Sequence, residues 1–127
     1  MERWHLPSIE ATGKREPRVL FSTPACRAVV IDLQAGEEMG EHQVRERAVL
    51  EVVSGEVALG IAGAETPCGA GTLATFTPGE RHTVRALEDS RLLLLLAPWP
   101  ADGHYLAGAT SDPDRVPANA SVPPLGS

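Results

Sequence analysis

The chain has 127 residues, 43% apolar and 22% charged, with 17 acidic residues against 11 basic ones and a net charge of −6. These totals fit one globular domain large enough to bury its own core. With no lysine or arginine run, the chain lacks the basic face needed to neutralise phosphates, so no nucleic-acid partner is expected.

The N-terminus, MERWHLPSIE, places an acid, a tryptophan and a proline early and has no apolar core segment, so it does not read as a secretory signal. Residues 1–17 read as an extension ahead of a barrel domain over residues 18–98. Val19-Leu20-Phe21 is a short strand closed by Ser22-Thr23-Pro24. Cys26 to Leu33 is rich in β-branched residues and stops at Ala35-Gly36, and Val49 to Val53 is a strand ended by Ser54-Gly55. Val57, Leu59 and Ile61 alternate with small residues, the period of a strand with one buried face. Gly63, Pro67 and Gly69 to Gly71 break that run. Leu73 to Thr77 leads into a Pro78-Gly79 turn, and His82–Leu87 with Arg91–Ala97 forms a last pair joined at Glu88-Asp89-Ser90.

The longest apolar run, Leu92 to Trp99, is far short of the roughly 20 residues needed to cross a bilayer and reads as a strand buried on both faces. No membrane partner and a cytoplasmic location are therefore expected. Cys26 and Cys68 are far apart and form no CxxC pair, which reads as two small buried thiols rather than a disulfide. Residues 99–127 form a Pro-rich tail, weakly ordered over about its last 15 to 20 residues, although its PWPADGHY portion could lie back against the barrel. Short strands at regular spacing, with Gly and Pro between them, make the fold all-β, a sandwich or a barrel.

Two segments carry the histidines. Gly36, His42 and Gly55 frame the first; Gly71, Thr72, Pro78, Gly79 and His82 frame the second. This spacing resembles the two motifs of the cupin superfamily over about residues 18 to 98. In the first motif Val44 stands where a second histidine would be and Ala48 where a glutamate would be. In the second, Thr72, Thr77 and Ala86 replace the acid, the proline and the asparagine, while Gly71, Gly79 and His82 fit. The resemblance implies a small single-domain cupin, a double-stranded β-helix of jelly-roll type.

Cupins hold a divalent metal (iron, manganese, zinc or nickel) through three histidines and a glutamate. This chain keeps His42 and His82 of those four, and neither Val44 nor Ala48 can ligate. Glu46 is the nearest carboxylate and would complete a set of two histidines and one carboxylate, which suits iron(II). Its setting, Arg45-Glu46-Arg47, reads instead as a solvated hairpin turn. His104, Cys26 and Cys68 are remoter candidates, and His5 reads as a surface residue.

If parity holds, Val44, Ala48, Leu50 and Val52 face inward with Val84 and Ala86, giving a narrow apolar pocket with two histidines at its polar end. Such a pocket suits a small, mainly apolar ligand, not a sugar phosphate, with Arg47, Arg81 and Arg85 at the rim or outside. Three readings stay open: an enzyme of dioxygenase, isomerase or decarboxylase type, a metal-free binding or sensing module, and a filled barrel whose role lies in assembly. Apolar residues on outer faces, Val49 with Val53 and Leu93 with Leu95, lead us to expect a homodimer.

Overall fold

Period-two alternation of apolar and polar side chains builds almost all of the regular structure. The computed structural model describes residues 1–11, 17–42 and 45–101, and of residues 40–42 the backbone alone. Among these, nine strands follow one another: β1 (Arg18–Ser22), β2 (Arg27–Leu33), β3 (Glu38–His42), β4 (Arg47–Ser54), β5 (Glu56–Ile61), β6 (Ala64–Gly69), β7 (Leu73–Phe76), β8 (His82–Ala86) and β9 (Ser90–Ala97). A single 3-10 turn, Leu6–Ser8, precedes them. The strands form two antiparallel sheets, ordered β1-β2-β9-β4-β7 and β3-β8-β5-β6. The fold class expected from the strand pattern is the one found.

The core lies between the inner faces of the two sheets. Leu50 and Val52 of β4 and Leu92, Leu94 and Leu96 of β9 meet Val57 of β5 and Val84 and Ala86 of β8 in one apolar cluster. Fully burying one such aliphatic side chain contributes about 1.5 to 3 kcal/mol, which is how short strands with few helical alternatives are held.

Two strands lie outside the apolar alternation, although the histidine motif already places His42 on a strand ahead of the 45–47 turn. Strand β3 (EMGEH) is mostly polar and carries little apolar alternation, though its Met39 is buried. Strand β6 contains Pro67, which breaks the apolar alternation in the sequence. Among the described residues it is the edge of the four-stranded sheet, paired with β5, where a residue without an N–H is tolerated. Strand β9 is also less enclosed than expected: Leu92, Leu94 and Leu96 are buried, while Leu93 and Leu95 on the outer face are half-buried. Strand β2, by contrast, is buried on both faces from Arg27 to Ile31.

The segments flanking the barrel are tied to it. Arg91 grips Asp32 opposite it in a two-pronged ion pair (Nε to Oδ1 2.7 Å, Nη2 to Oδ2 2.9 Å), and its Nη1 donates to the Leu6 carbonyl at 2.8 Å. Trp4 stacks on Phe21 of β1 with ring centroids 5.8 Å apart. The N-terminal segment thereby lies along the five-stranded sheet and walls an open cleft of about 830 Å³ against Asp32, Gln34, Glu37 and Asp89. At the other terminus, Trp99 is a member of the core cluster and its N–H donates to the Pro24 carbonyl at 3.1 Å. The remainder of the tail, with His104, lies outside the described residues, as does Val44.

Four of the motif glycines, Gly36, Gly55, Gly71 and Gly79, have φ between 83° and 92°. Gly55 carries a second demand, because a Cβ there would run into the Asp89 carbonyl oxygen and the Ser90 hydroxyl. That hydroxyl accepts the Glu56 N–H at 3.0 Å, so the turn and the start of β9 share one tight contact. Gly55→Ala should therefore cost about 2 to 4 kcal/mol, from a left-handed backbone and a steric clash together. Urea unfolding measures it, with Gly63→Ala as comparison: Gly63 has positive φ but open space around its Cβ position, so it should lose less.

Candidate functional site

One end of the barrel collects the polar side chains that fall on inward positions. The ladder register defines this end. Arg27 pairs with Leu96, Arg47 with Ala97, Ala48 with Phe76, and His42 with His82. The start of β2, the end of β3, the starts of β4 and β8 and the ends of β7 and β9 thus all meet there.

His82 opens β8 and is 3% exposed. It alternates with Val84 and Ala86, both in the core, so its ring faces the interior. The imidazole lies flat on Phe76, with ring centroids 3.9 Å apart and planes 5° from parallel. Its Nδ1 donates to the Glu80 carbonyl at 3.2 Å, which puts the ring's proton on Nδ1 and its lone pair on Nε2. Burial pushes the pKa of His82 down, opposed by the Glu80 carbonyl and the Glu80 charge. The neutral, lone-pair-bearing form therefore dominates at neutral pH, the form a metal or a hydrogen-bond donor requires.

His42 is the cross-strand partner of His82, and a bulge produces that pairing. Met39 pairs with Val84 and His42 with His82, so three steps along β3 match two along β8. Simple alternation from buried Met39 would not have set His42 against His82. Bulges recur beside functional sites because they shift a residue by one register position.

Glu46 corrects the solvated-turn reading. It is 0% exposed, and its Oε2 accepts the Ala101 N–H at 3.0 Å. The reason is parity: Glu46 lies two residues before Ala48, on the same inward alternation as Leu50 and Val52. The flanking arginines do what was expected of a charged turn, and Arg47 and Arg81 are exposed.

Arg27 was missed. It sits on the parity of Val29, Ile31 and Leu33, is 3% exposed, and its guanidinium carbon lies 4.6 Å from the Trp99 ring centroid. Counting back by twos from Val29 would have found it, as counting back from Ala48 would have found Glu46. The remaining lining candidates run deeper into the core. Ala48 is opposite Phe76, Leu50 opposite the half-buried Ala74, and Val84 opposite Met39, with Val52 and Ala86 at the far end; all but Ala74 are buried. Cys26 and Cys68 are free and half-buried rather than fully buried, and burial raises the pKa of Cys26.

Among the described residues, no three histidine, cysteine, aspartate or glutamate side chains converge as a ligand set. A set built on His82 and Glu46 therefore depends on His42. Its donor chemistry, two imidazoles and a carboxylate, fits a first-row divalent metal, and the lone pair on His82 Nε2 is the form such an ion needs.

The comparisons with known proteins agree with this architecture. The family model described as Cupin domain matches residues 29–98. Among solved structures, an RmlC-like cupin protein from Desulfovibrio desulfuricans superposes with a TM-score of 0.69 at 21% identity, covering 77% of this chain and 97% of that one. An uncharacterised conserved protein with a double-stranded β-helix domain from Klebsiella pneumoniae does so at 0.65 and 24%, covering 77% and 90%. A conserved protein of unknown function from Streptococcus pyogenes gives 0.66 at 20%, covering 76% and 86%. At these identities the likeness carries the fold alone. No curated protein matches the chain.

The lowered pKa of His82 sets a pH dependence. The unfolded chain takes up this proton near the ordinary value of 6.5, and the folded protein takes it up only at lower pH. The stability tied to neutral His82 is thus complete above that value and is lost as pH falls below it. Urea midpoints measured between about pH 8 and pH 5 should decline through this window. In His82→Gln the decline should be shallower.

Proposed function

Because the chain belongs to the cupin domain family, whose model spans residues 29–98, we propose that its barrel binds a small molecule at the end where His42 and His82 pair, through a divalent metal held by those two histidines. The observation that carries this reading is the His42–His82 register, which sets the two residues directly opposite each other across the ladder. Glu46 supports it as a third ligand because it is a buried carboxylate at the same end. A bound iron, manganese, zinc or nickel ion would polarise and orient a substrate there. The residues' own part is to supply neutral imidazole through His82 and to exclude water through Phe76 and Trp99.

A second reading has its own support. Val44 and Ala48 offer no ligand atoms, and a site with two histidines alone is weak. On that reading the barrel is a metal-free, non-catalytic binding or sensing module in which His82 hydrogen-bonds the ligand directly. The apolar outer residues Val49, Val53, Leu93 and Leu95, each half-buried, support a homodimer through the five-stranded sheet. Two free thiols suit a reducing compartment such as the cytoplasm.

Elemental analysis of protein prepared without a metal-binding tag separates the two readings. About one equivalent of metal per chain is expected, lost in His42→Ala and in His82→Ala, with Glu46→Gln weakening it about as much as loss of a histidine. Less than about a tenth of an equivalent, even after soaking with iron, zinc, manganese and nickel, selects the metal-free module. Sedimentation at micromolar concentration should give a dimer; a monomer alone would remove that assembly.

A further inference from the structure

We infer that residues 98–101 form a clasp that closes the histidine end of the barrel and controls access to His82, with Glu46 as its catch. This rests on the reading that the histidine end is where a ligand enters, but not on the presence of a metal.

At least three attachments hold the clasp among the described residues. The Trp99 N–H donates to the Pro24 carbonyl at 3.1 Å. The Trp99 ring meets the Arg27 guanidinium, whose carbon is 4.6 Å from the ring centroid. The Ala101 N–H donates to Glu46 Oε2 at 3.0 Å. All three lie at the end defined by the Ala48–Phe76 pairing and the Phe76–His82 stack. Trp99 belongs to the same apolar cluster as Phe76, the ring on which His82 stacks.

The chemistry of the catch distinguishes it from ordinary chain-end docking. A backbone N–H can be held by any carbonyl, yet here a fully buried carboxylate holds it. Burying a carboxylate is costly unless hydrogen bonds accompany it. In this position the same group can serve the clasp when closed and the site when open. The Ala101–Glu46 hydrogen bond is modest, the burial of Trp99 is the stronger hold, and the barrel itself is held by continuous ladders, so release starts at Ala101 and stays local to this end without unfolding the sheets.

Carbethoxylation of histidines in the full-length protein by diethyl pyrocarbonate, located by peptide mass spectrometry, tests this directly. His5 is exposed and serves as the internal reference. In the wild type His82 should react much more slowly than His5. Glu46→Ala, which removes the acceptor, should raise the His82 rate about tenfold or more while leaving the His5 rate unchanged. Ala101→Pro removes the donor from the other side without touching the core, and should do the same even if Glu46→Ala folds poorly. Glu46→Gln keeps an acceptor oxygen and should stay near the wild type. Trp99 emission should move to longer wavelength in the two opened variants. A wild-type His82 as reactive as His5, or an Ala101→Pro protein with unchanged His82 reactivity, overturns the clasp. Because a metal on His82 would itself slow carbethoxylation, each protein is assayed before and after chelator treatment. Ala101→Pro removes no proposed ligand, so its His82 rate after chelation tests the clasp and the metal content tests the metal reading, and the two can fail separately.

Discussion

Every strand in this barrel has one face turned inward, and whatever side chain the alternation puts on that face must be accommodated there. Along most of β2, β4, β8 and β9 the inward residues are aliphatic and close into a single cluster. At one end the alternation continues into Arg27, Glu46 and His82, which are buried along with it. Charged and polar groups cannot be left bare in such a place. The Trp99 ring, the Ala101 N–H and the Glu80 carbonyl each meet part of that demand. The polar end of the barrel and the docking of the chain beyond β9 are thus two sides of the same physical requirement.

The fold was legible because its signal is local. The alternation in Val57-Leu59-Ile61, the β-branched run of β2 and the Gly-Pro punctuation each report on neighbouring residues, and the motif glycines report on backbone geometry that few other residues adopt. The elements less visible in the sequence lack that signal. Strand β3 is polar and bulged, and Pro67 disguises β6, whose existence depends on β5 pairing with it across a hairpin. The candidate site was legible in its histidines but not in its surroundings. Glu46 was judged by the arginines beside it in sequence, whereas its position depends on Ala48 two residues away. Arg27 carries no motif at all, and what makes it notable is Trp99, about seventy residues distant in sequence and close in space.

The two flanking segments do different work. Residues 1–11 reinforce the five-stranded sheet from outside, through the Arg91 fork and the Trp4–Phe21 stack. Arg91 binds a neighbouring strand and an incoming segment with one planar group, which a lysine could not reproduce because it lacks the paired donors. Residues 98–101 instead act at the barrel's end, where Trp99 completes the core.

Pro67 bears on how the molecule behaves in a crowded solution. Its strand is the outermost of the four-stranded sheet, so its far side is where a foreign strand would have to add. A row of alternating donors and acceptors is what such an intruder reads, and a missing N–H interrupts that row. The residue that hid β6 from a reading of the sequence thus leaves this one edge a poorer template for a further strand.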